Sequence, residues 1–492
     1  MANKSSSNLK WWILLTVIIG TFLGRLDQTI VNLALPKIMS DFRITVTSAG
    51  WIATAYILAN AIFVPIWGKL GDTFGQKKIY IVGFSLFIFG SALAGLSWNL
   101  NSMIFFRVIQ AIASSADYPT AMAIITLTFA PGKERAQALG LWTSSFAAAS
   151  VVGPLLGGPI IDNFGWRSVF MINIPIGVIG LLMALTFIAE SEKDTRFVNF
   201  DWWGALTLGI SLTSLVLVLD KGLDWGWTSL ASLICYLGAA VFMAIFIRIE
   251  KRHTDAIVNL DFFKNGVFTN VLANSFIVFM VLMGSVFLVP IFAQVYLGYD
   301  ATKTGIIFIP MAFMIVLMAS IGGRFVDTIK SQYILMISSG VAAVGLYLFS
   351  YLDPRSTIWA LIIPLAVMAG GLGFGMAQRT DIVASSVQPD QVGSASSVLA
   401  LVRNIAGAFG VAIFGTILQN SEYKNMLDIS KSSFIHVKTP ELMHEFIGLM
   451  SLKSQIMAYD KVFIIASVLA AFAAATSWWI RTESKNKEAV ME

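Results

Sequence analysis

Two stretches place charged side chains inside runs that are apolar enough to cross a bilayer. TFLGRLDQTIVNLALP (21–36) carries Arg25 and Asp27, and RVIQAIASSADYP (107–119) carries Arg107 and Asp117. At about 100° per residue, Thr21, Arg25, Gln28, Thr29 and Asn32 share one face of the first helix, whereas Asp27 stands about 160° from Arg25 and is not its partner within that helix. Arg107, Gln110, Ser114, Asp117 and Tyr118 share one face of the second stretch, over roughly 15 Å at about 1.5 Å per residue. A central charge costs at least ~2.5 to 3.5 kcal/mol on insertion scales, so these groups should face a water-accessible cavity inside the protein rather than lipid. The chemistry open to them is proton transfer. Desolvation disfavours a charged carboxylate, so an acid in a partly dry cavity takes a proton from one side, and an arginine that approaches in only one conformation expels it to the other. The registers bring Asp27 and Arg107 to similar depth, either as carrier and modulator or as a permanent pair that locks two helices together. Asp117 is open to a second proton, to a cationic ligand, or to fixed pairing with Arg25. Arg25, Gln28, Asn32, Gln110, Ser114 and Tyr118 are left as candidate substrate contacts.

Positioning such groups requires membrane helices, and composition supplies them. The 492 residues are 57% hydrophobic and 12% charged, with mean hydropathy +0.77, which is too apolar for a soluble globular protein. Apolar runs of roughly 20 residues recur from end to end, and fourteen spans are expected, including 102–128, 136–158, 203–220 and 227–247. Lys4 and Lys10 precede the first run, but its length and the lack of a small-residue cleavage site favour a retained helix over a signal peptide. Cys235 is the lone cysteine and the histidines (His253, His436, His444) are scattered over loops, so neither an internal disulfide nor a metal cluster is expected. A sequence pI near 9.1 reflects cations dispersed beside spans (Lys69, Lys77, Lys78, Arg248, Lys251, Arg252), which argues for topology rather than nucleic-acid binding and puts both termini in the cytoplasm.

The chain also matches itself. At a displacement of 255 residues, Thr47, Gly50, Gly68, Lys69, Asp72 and Thr73 superimpose on Thr302, Gly305, Gly323, Arg324, Asp327 and Thr328. The two copies face the same side, so the repeats are parallel, and parallel six-helix repeats are a transporter architecture with the substrate site near the midplane. The expected organisation is an N-terminal six-helix bundle at 1–200, two inserted helices at 201–252, and a C-terminal six-helix bundle at 253–492 with a long outer loop at 419–459. Asp-Trp-Trp at 201–203 reads as an interfacial anchor for a peripheral insert, and TPELMHEF (439–446) reads as a helix start capped by Thr439.

Several motifs in order carry a family resemblance. GKLGDTFGQKK (68–78), RVIQAIASSADYP and GLWTSSFAAASVVGPLLGGP (140–159) resemble the loop, fourth-helix and fifth-helix patterns of the major facilitator superfamily. LDQTIVNLALP, WRSVFMINIPIG (166–177), FDWWGAL (200–206) and VRNIAGAFGVAIFGTIL (402–418) resemble its fourteen-helix branch, the bacterial drug:proton antiporters. The resemblance implies an all-α integral membrane fold of two parallel six-helix bundles plus two inserted helices. It implies that Asp27, in its LDxT pattern, is the functional acid. Gating falls to Gly68, Asp72, Lys77 and Lys78 in the loop, with Gly153, Pro154, Gly157 and Gly158 on the fifth helix going with export. Asp117 departs from the pattern, which has a small residue there.

The C-terminal half reads differently. Met280, Met283, Met311, Met314, Met318, Met336, Met368 and Met376 suit either a promiscuous apolar wall or plain packing, and Arg403 is the only central charge expected there. Asn274, Arg403 and Asn404 are its candidate polar contacts. No GxxxxGK[ST] loop occurs, which leaves an ion gradient as the energy source. The expected function is proton-coupled efflux of amphipathic drugs or antiseptics by a monomer in the bacterial plasma membrane, with no cofactor, no metal and no enzymatic activity. The alternative is transport or flipping of a lipid or fatty-acid-like anionic amphiphile, which buried arginines would suit.

Overall fold

The computed structural model describes residues 2–129, 133–189, 201–252, 258–325, 329–388, 392–432 and 440–480. Its regular elements are helical. They are α1 (Ala2–Phe42), α2 (Val46–Phe74), α3 (Gln76–Gly95), α4 (Leu100–Ser114), α5 (Asp117–Thr128), α6 (Lys133–Phe164), α7 (Ser168–Met171), α8 (Asn173–Phe187), α9 (Trp202–Trp225) and α10 (Leu230–Glu250), then α11 (Gly266–Ile291), α12 (Ala301–Gly323), α13 (Ser331–Leu348), α14 (Trp359–Phe374), α15 (Met376–Ser385), α16 (Val392–Ser432) and α17 (Pro440–Thr476), with no strand among the described residues. Local signals set several boundaries. Thr45 caps α2 by accepting from the Ser48 N–H, and Asn99 and Ser102 form a reciprocal capping box at the start of α4. Gly75, at φ +100°, makes the reversal between α2 and α3 that a side chain would strain.

Twelve segments among the described residues are long and apolar enough to cross a membrane, by length and composition. That is two short of the fourteen expected. The missing two, 102–128 and 136–158, fall on α4 with α5 and on α6. Pro119 interrupts the first: it has no N–H for the Ser115 carbonyl and its ring crowds that oxygen, so the helix ends at Ser114 and resumes at Asp117 in pieces of 15 and 12 residues. The second lies in a helix of 32 residues, some of whose side chains are outside the described set. The segment expected as an outer loop at 419–459 is largely helical. It continues α16 to Ser432 and starts α17 at Pro440, and Gln455 donates to Glu422 at 2.7 Å across the two. Thr439, the expected cap, lies outside the described residues.

Contacts divide the chain into two compact units. Unit 1 is Met1–Leu215, Tyr236–Leu260 and Asp300–Ile309, and unit 2 is Val216–Cys235, Asp261–Tyr299 and Pro310–Glu492. In unit 1, Ile13, Leu14 and Val17 of α1 pack with Tyr80 of α3, Ile124 and Ile125 of α5, Trp142 of α6 and Ala184 of α8 in one buried cluster. Burying a large apolar side chain contributes about 1.5 to 3 kcal/mol, so this cluster fixes α1, α3, α5, α6 and α8 against one another.

Candidate functional site

Asp27 of α1 and Arg107 of α4 meet inside unit 1. Asp27 is 0% exposed and Arg107 2%. The Asp27 Oδ2 accepts from Arg107 Nη1 at 2.5 Å, and its Oδ1 accepts from Gln110 Nε2 at 3.0 Å and Asn173 Nδ2 at 2.9 Å. Gln110 Oε1 also accepts from Arg107 Nη1 at 2.5 Å, while Gln110 Nε2 reaches Ser91 Oγ at 2.6 Å. The guanidinium lies over the Tyr56 ring at 4.0 Å from its centroid. One charge-assisted cluster thus ties α1, α3, α4 and α8 together, and α3 comes close because a Cβ on Gly90 would stand 2.9 Å from the Gln110 Cα. The expected water-filled cavity does not extend to Asp27, Arg107 or Gln110, which are dry. The reason is mutual satisfaction: both Asp27 oxygens, Arg107 Nη1 and the Gln110 amide find their partners in protein instead of water.

Apart from the buried Thr21, the remainder of the stripes is more accessible. Asp117, at the first turn of α5, is half-buried, and Tyr118 beside it is 42% exposed. Asp117 Oδ2 accepts from the Thr21 hydroxyl at 2.7 Å, and that hydroxyl accepts from the Trp142 Nε1 at 2.9 Å. The Asp117 Oδ1 is buried and accepts no hydrogen bond. Tyr118 packs on Trp142 with ring centroids 5.3 Å apart. Arg25 and Gln28 lie half-buried on α1 and bond to each other at 3.2 Å, and Arg25 interacts electrostatically with Asp117. Ser114 takes the Tyr56 hydroxyl at 2.7 Å and Asn60 at 3.2 Å. Asn32 is half-buried on α1. Away from these groups, an apolar groove of about 420 Å³ lies between Ile62 and Phe63 of α2 and Leu206 and Ile210 of α9.

The residues expected to gate are contact points. Gly153 sits against Thr29 and Gly157 against Ile30, so small residues let α6 lie close to α1. Gly158 abuts the backbone of Thr302, and Gly305 abuts the carbonyl of Pro154, which brings α6 onto the first turns of α12 within unit 1. Asp162 caps that end of α12, accepting from the N–H of Ala301 at 3.1 Å and of Thr302 at 2.8 Å. Gly68 faces Pro119 with room for a Cβ at 3.4 Å, Lys77 donates to the Leu185 carbonyl at 3.1 Å, and Lys78 lies over the Phe74 ring. The Asp72 side chain is outside the described residues.

Unit 2 corrects the expectation of a single central charge. Arg379 of α15 is 1% exposed, inside the apolar segment Trp359–Ser385. Its Nε donates to Asn274 Oδ1 at 2.9 Å, and its Nη2 donates to Ser339 Oγ at 3.2 Å and Ser338 Oγ at 3.4 Å. Asn274 in turn donates to the Ala473 carbonyl at 2.8 Å and Ser477 Oγ at 3.0 Å. No carboxylate lies within ion-pair distance of Arg379 among the described residues. Asn274 is therefore engaged in joining α11, α15 and α17 rather than held open for a ligand. Arg403 is half-buried, reaches Thr380 Oγ1 at 3.4 Å and lies over Phe279 at 4.8 Å, with the half-buried Asn404 next in sequence. The Gln378-Arg379-Thr380-Asp381 run resembles a loop, yet the helix resumes after Gly375 and buries Gln378 and Arg379, while Thr380 and Asp381 stay exposed.

Known proteins give this arrangement a context. The solved structure of a bacterial homologue of the human lysosomal transporter Spinster, in an inward-facing and unoccupied conformation, matches over 96% of this chain and 99% of its own, with a TM-score of 0.67 at 17% identity. Among curated sequences, the multidrug transporter protein MdtP of Bacillus subtilis (strain 168) is 32% identical over 86% of this chain and 78% of its own length. The multidrug export protein EmrB of Escherichia coli (strain K12) is 31% identical over 84% and 81%. Residues 17–411 match the model of the Major Facilitator Superfamily, and this chain is a multi-pass membrane transporter belonging to that superfamily.

Proposed function

We propose that the protein is a proton-coupled exporter of amphipathic drugs, acting as a monomer in the bacterial plasma membrane with both termini cytoplasmic. The observation that carries this reading is the similarity to MdtP and EmrB along more than four-fifths of the chain. Acidic and basic side chains inside the spans support coupling to protons, because such groups are costly in a bilayer and serve ion pathways. In this reading the polypeptide forms fourteen spans, the twelve apolar segments together with α4–α5 and α6, arranged as six, two inserted and six. The proton site lies among Asp27, Arg107 and Asp117, and Arg25, Gln28, Asn32, Ser114, Tyr118, Arg403 and Asn404 face cargo. The close α6–α12 contact and the α2–α3 turn act as gates.

The test is transport in proteoliposomes. Ethidium or a fluoroquinolone should move against its gradient when the lumen is acidified, and flux should collapse with a protonophore. A second reading, carriage of an anionic amphiphile, draws on Arg379 and Arg403 in unit 2. Translocation of a fluorescent fatty acid or lipid without drug flux would favour that second reading over export.

A further inference from the structure

We propose that the proton exchanged for cargo is carried by Asp117, and that the Asp27–Arg107 pair is a structural clasp. This rests on the export reading above and identifies its proton site.

The first support is that the chain builds the clasp twice. In unit 1, Asp27 on the first helix of the repeat is joined to Ser91 on the third, Arg107 and Gln110 on the fourth, and Asn173 on the sixth. In unit 2, Asn274 on the first helix of the second repeat is joined to Arg379 on the fourth and to Ala473 and Ser477 on and just after the sixth, and Arg379 reaches Ser338 and Ser339 on the third. The same four helix positions are fastened around a guanidinium in both. In unit 2 the first-helix residue is a carboxamide, which does not titrate near neutral pH. What the two clasps share is therefore fastening, and proton exchange is not needed to explain either.

The second support is the state of the two acids. Both oxygens of Asp27 are occupied by donors, one of them a guanidinium, and protonating it would leave Arg107 buried without a counter-charge. Asp117 has one satisfied oxygen and one unsatisfied, and forms no ion pair among the described residues. The direction of its hydrogen bond is fixed. The Trp142 indole can only donate, so it occupies a lone pair of the Thr21 hydroxyl and turns that hydrogen towards Asp117 Oδ2. This leaves Oδ1 as the oxygen to be protonated. Gly20 makes the space, because a Cβ there would come within 3.1 Å of Oδ1.

The ionisable groups around Asp117 are few. From α1 comes Arg25, one turn beyond Thr21 and in electrostatic reach. From α3 comes Tyr80, whose hydroxyl donates to the Thr16 carbonyl at 3.3 Å. From α2 comes Tyr56, held on Ser114, and α6 brings the non-ionisable Trp142. Release breaks the Oδ1–H bond and passes the proton to water. The carboxylate that remains keeps the Thr21 hydrogen bond and gains Arg25 as its counter-charge.

Difference infrared spectroscopy of the full-length protein in lipid, titrated with pH, tests the assignment without any cargo. Wild type should show a protonated-carboxyl band that Asp117→Asn removes, Asp117→Glu restores with a shifted frequency, and Asp27→Asn leaves in place. Thr21→Val, which exchanges the hydroxyl bonded to Asp117 for a methyl group, should move the pH midpoint of that band in the folded protein. A band unchanged in Asp117→Asn, or lost in a folded Asp27→Asn, overturns the proposal. In proteoliposomes, Asp117→Asn should lose the gradient-driven part of ethidium flux. A wild type that shows the Asp117 band but no gradient-driven flux refutes the export reading alone.

Discussion

Removing one member of the Asp27–Arg107 pair should damage the fold more than removing both. Asp27 receives three hydrogen bonds at 2.5, 2.9 and 3.0 Å and is 0% exposed. Replacing it by leucine leaves the Arg107 guanidinium inside the protein with the Gln110 oxygen and the Tyr56 and Phe170 rings but no counter-charge, and such stranding costs about 3 to 5 kcal/mol. Arg107→Met strands the carboxylate in the same way and should cost a similar amount. In the double variant no charge is stranded. The residual cost is that of the Gln110 and Asn173 amides losing an acceptor, about 1 to 3 kcal/mol. The singles should therefore sum to roughly 6 to 10 kcal/mol while the double loses far less, giving a coupling energy on the order of 3 kcal/mol or more. Reversible unfolding in mixed detergent and denaturant micelles measures all four corners of the cycle. Singles within about 0.5 kcal/mol of wild type, or a double equal to the sum of the singles, would refute the argument that this pair is a mutually dependent clasp.

Three further outcomes follow from single contacts. Gly305→Ala presses a methyl group into the Pro154 carbonyl, a backbone atom that cannot rotate away, and should destabilise by about 1 to 3 kcal/mol and slow efflux in a drug-accumulation assay. Asp162→Ala removes the cap on α12 and should cost about 1 kcal/mol in the same unfolding assay, with Asp162→Ser recovering most of it. Asn274→Ala deprives Arg379 Nε of its acceptor and should cost about 1.5 to 3 kcal/mol, more than Ser339→Ala, which removes one longer bond among several.

Part of the polar network was legible because helical spacing is a local property: the 3.6-residue period puts Arg107 and Gln110 on one side of α4, and both reach Asp27. What completed the clasp was not local. Ser91 and Asn173 look like ordinary small polar residues in apolar runs, and only the packing of α3 and α8 against α1 brings them to Gln110 and Asp27. Thr21 and Trp142 are 121 residues apart, so nothing in either stretch announces their bond. Arg379 escaped for a different reason. Hydropathy ends a span where polar residues begin, and here the helix carries Arg379 inward because Ser338, Ser339 and Asn274 accept its hydrogen bonds. The count of spans suffered from the converse effect at Pro119, where an apolar run is divided by one missing N–H.

The two clasps also explain why a carboxamide serves in one and an acid is required in the other. Arg379 spreads its charge over several dipoles: Nε on Asn274, Nη1 on Ser338, and Nη2 on both Ser338 and Ser339. Arg107 has no such supply. Its Nε is buried without an acceptor, and Nη1 directs both of its contacts at Asp27 and Gln110. With fewer dipoles to share the charge, only a full negative charge at the first-helix position offsets the desolvation of that guanidinium. Asp27→Asn should consequently destabilise unit 1 even though Asn is the native residue at the corresponding place in unit 2. A folded Asp27→Asn protein with wild-type stability would mean that the Tyr56 ring, 4.0 Å from the guanidinium carbon, supplies enough compensation by itself. Combining Asp27→Asn with Tyr56→Leu separates the two sources, because the ring's share appears only as the additional loss in the double variant.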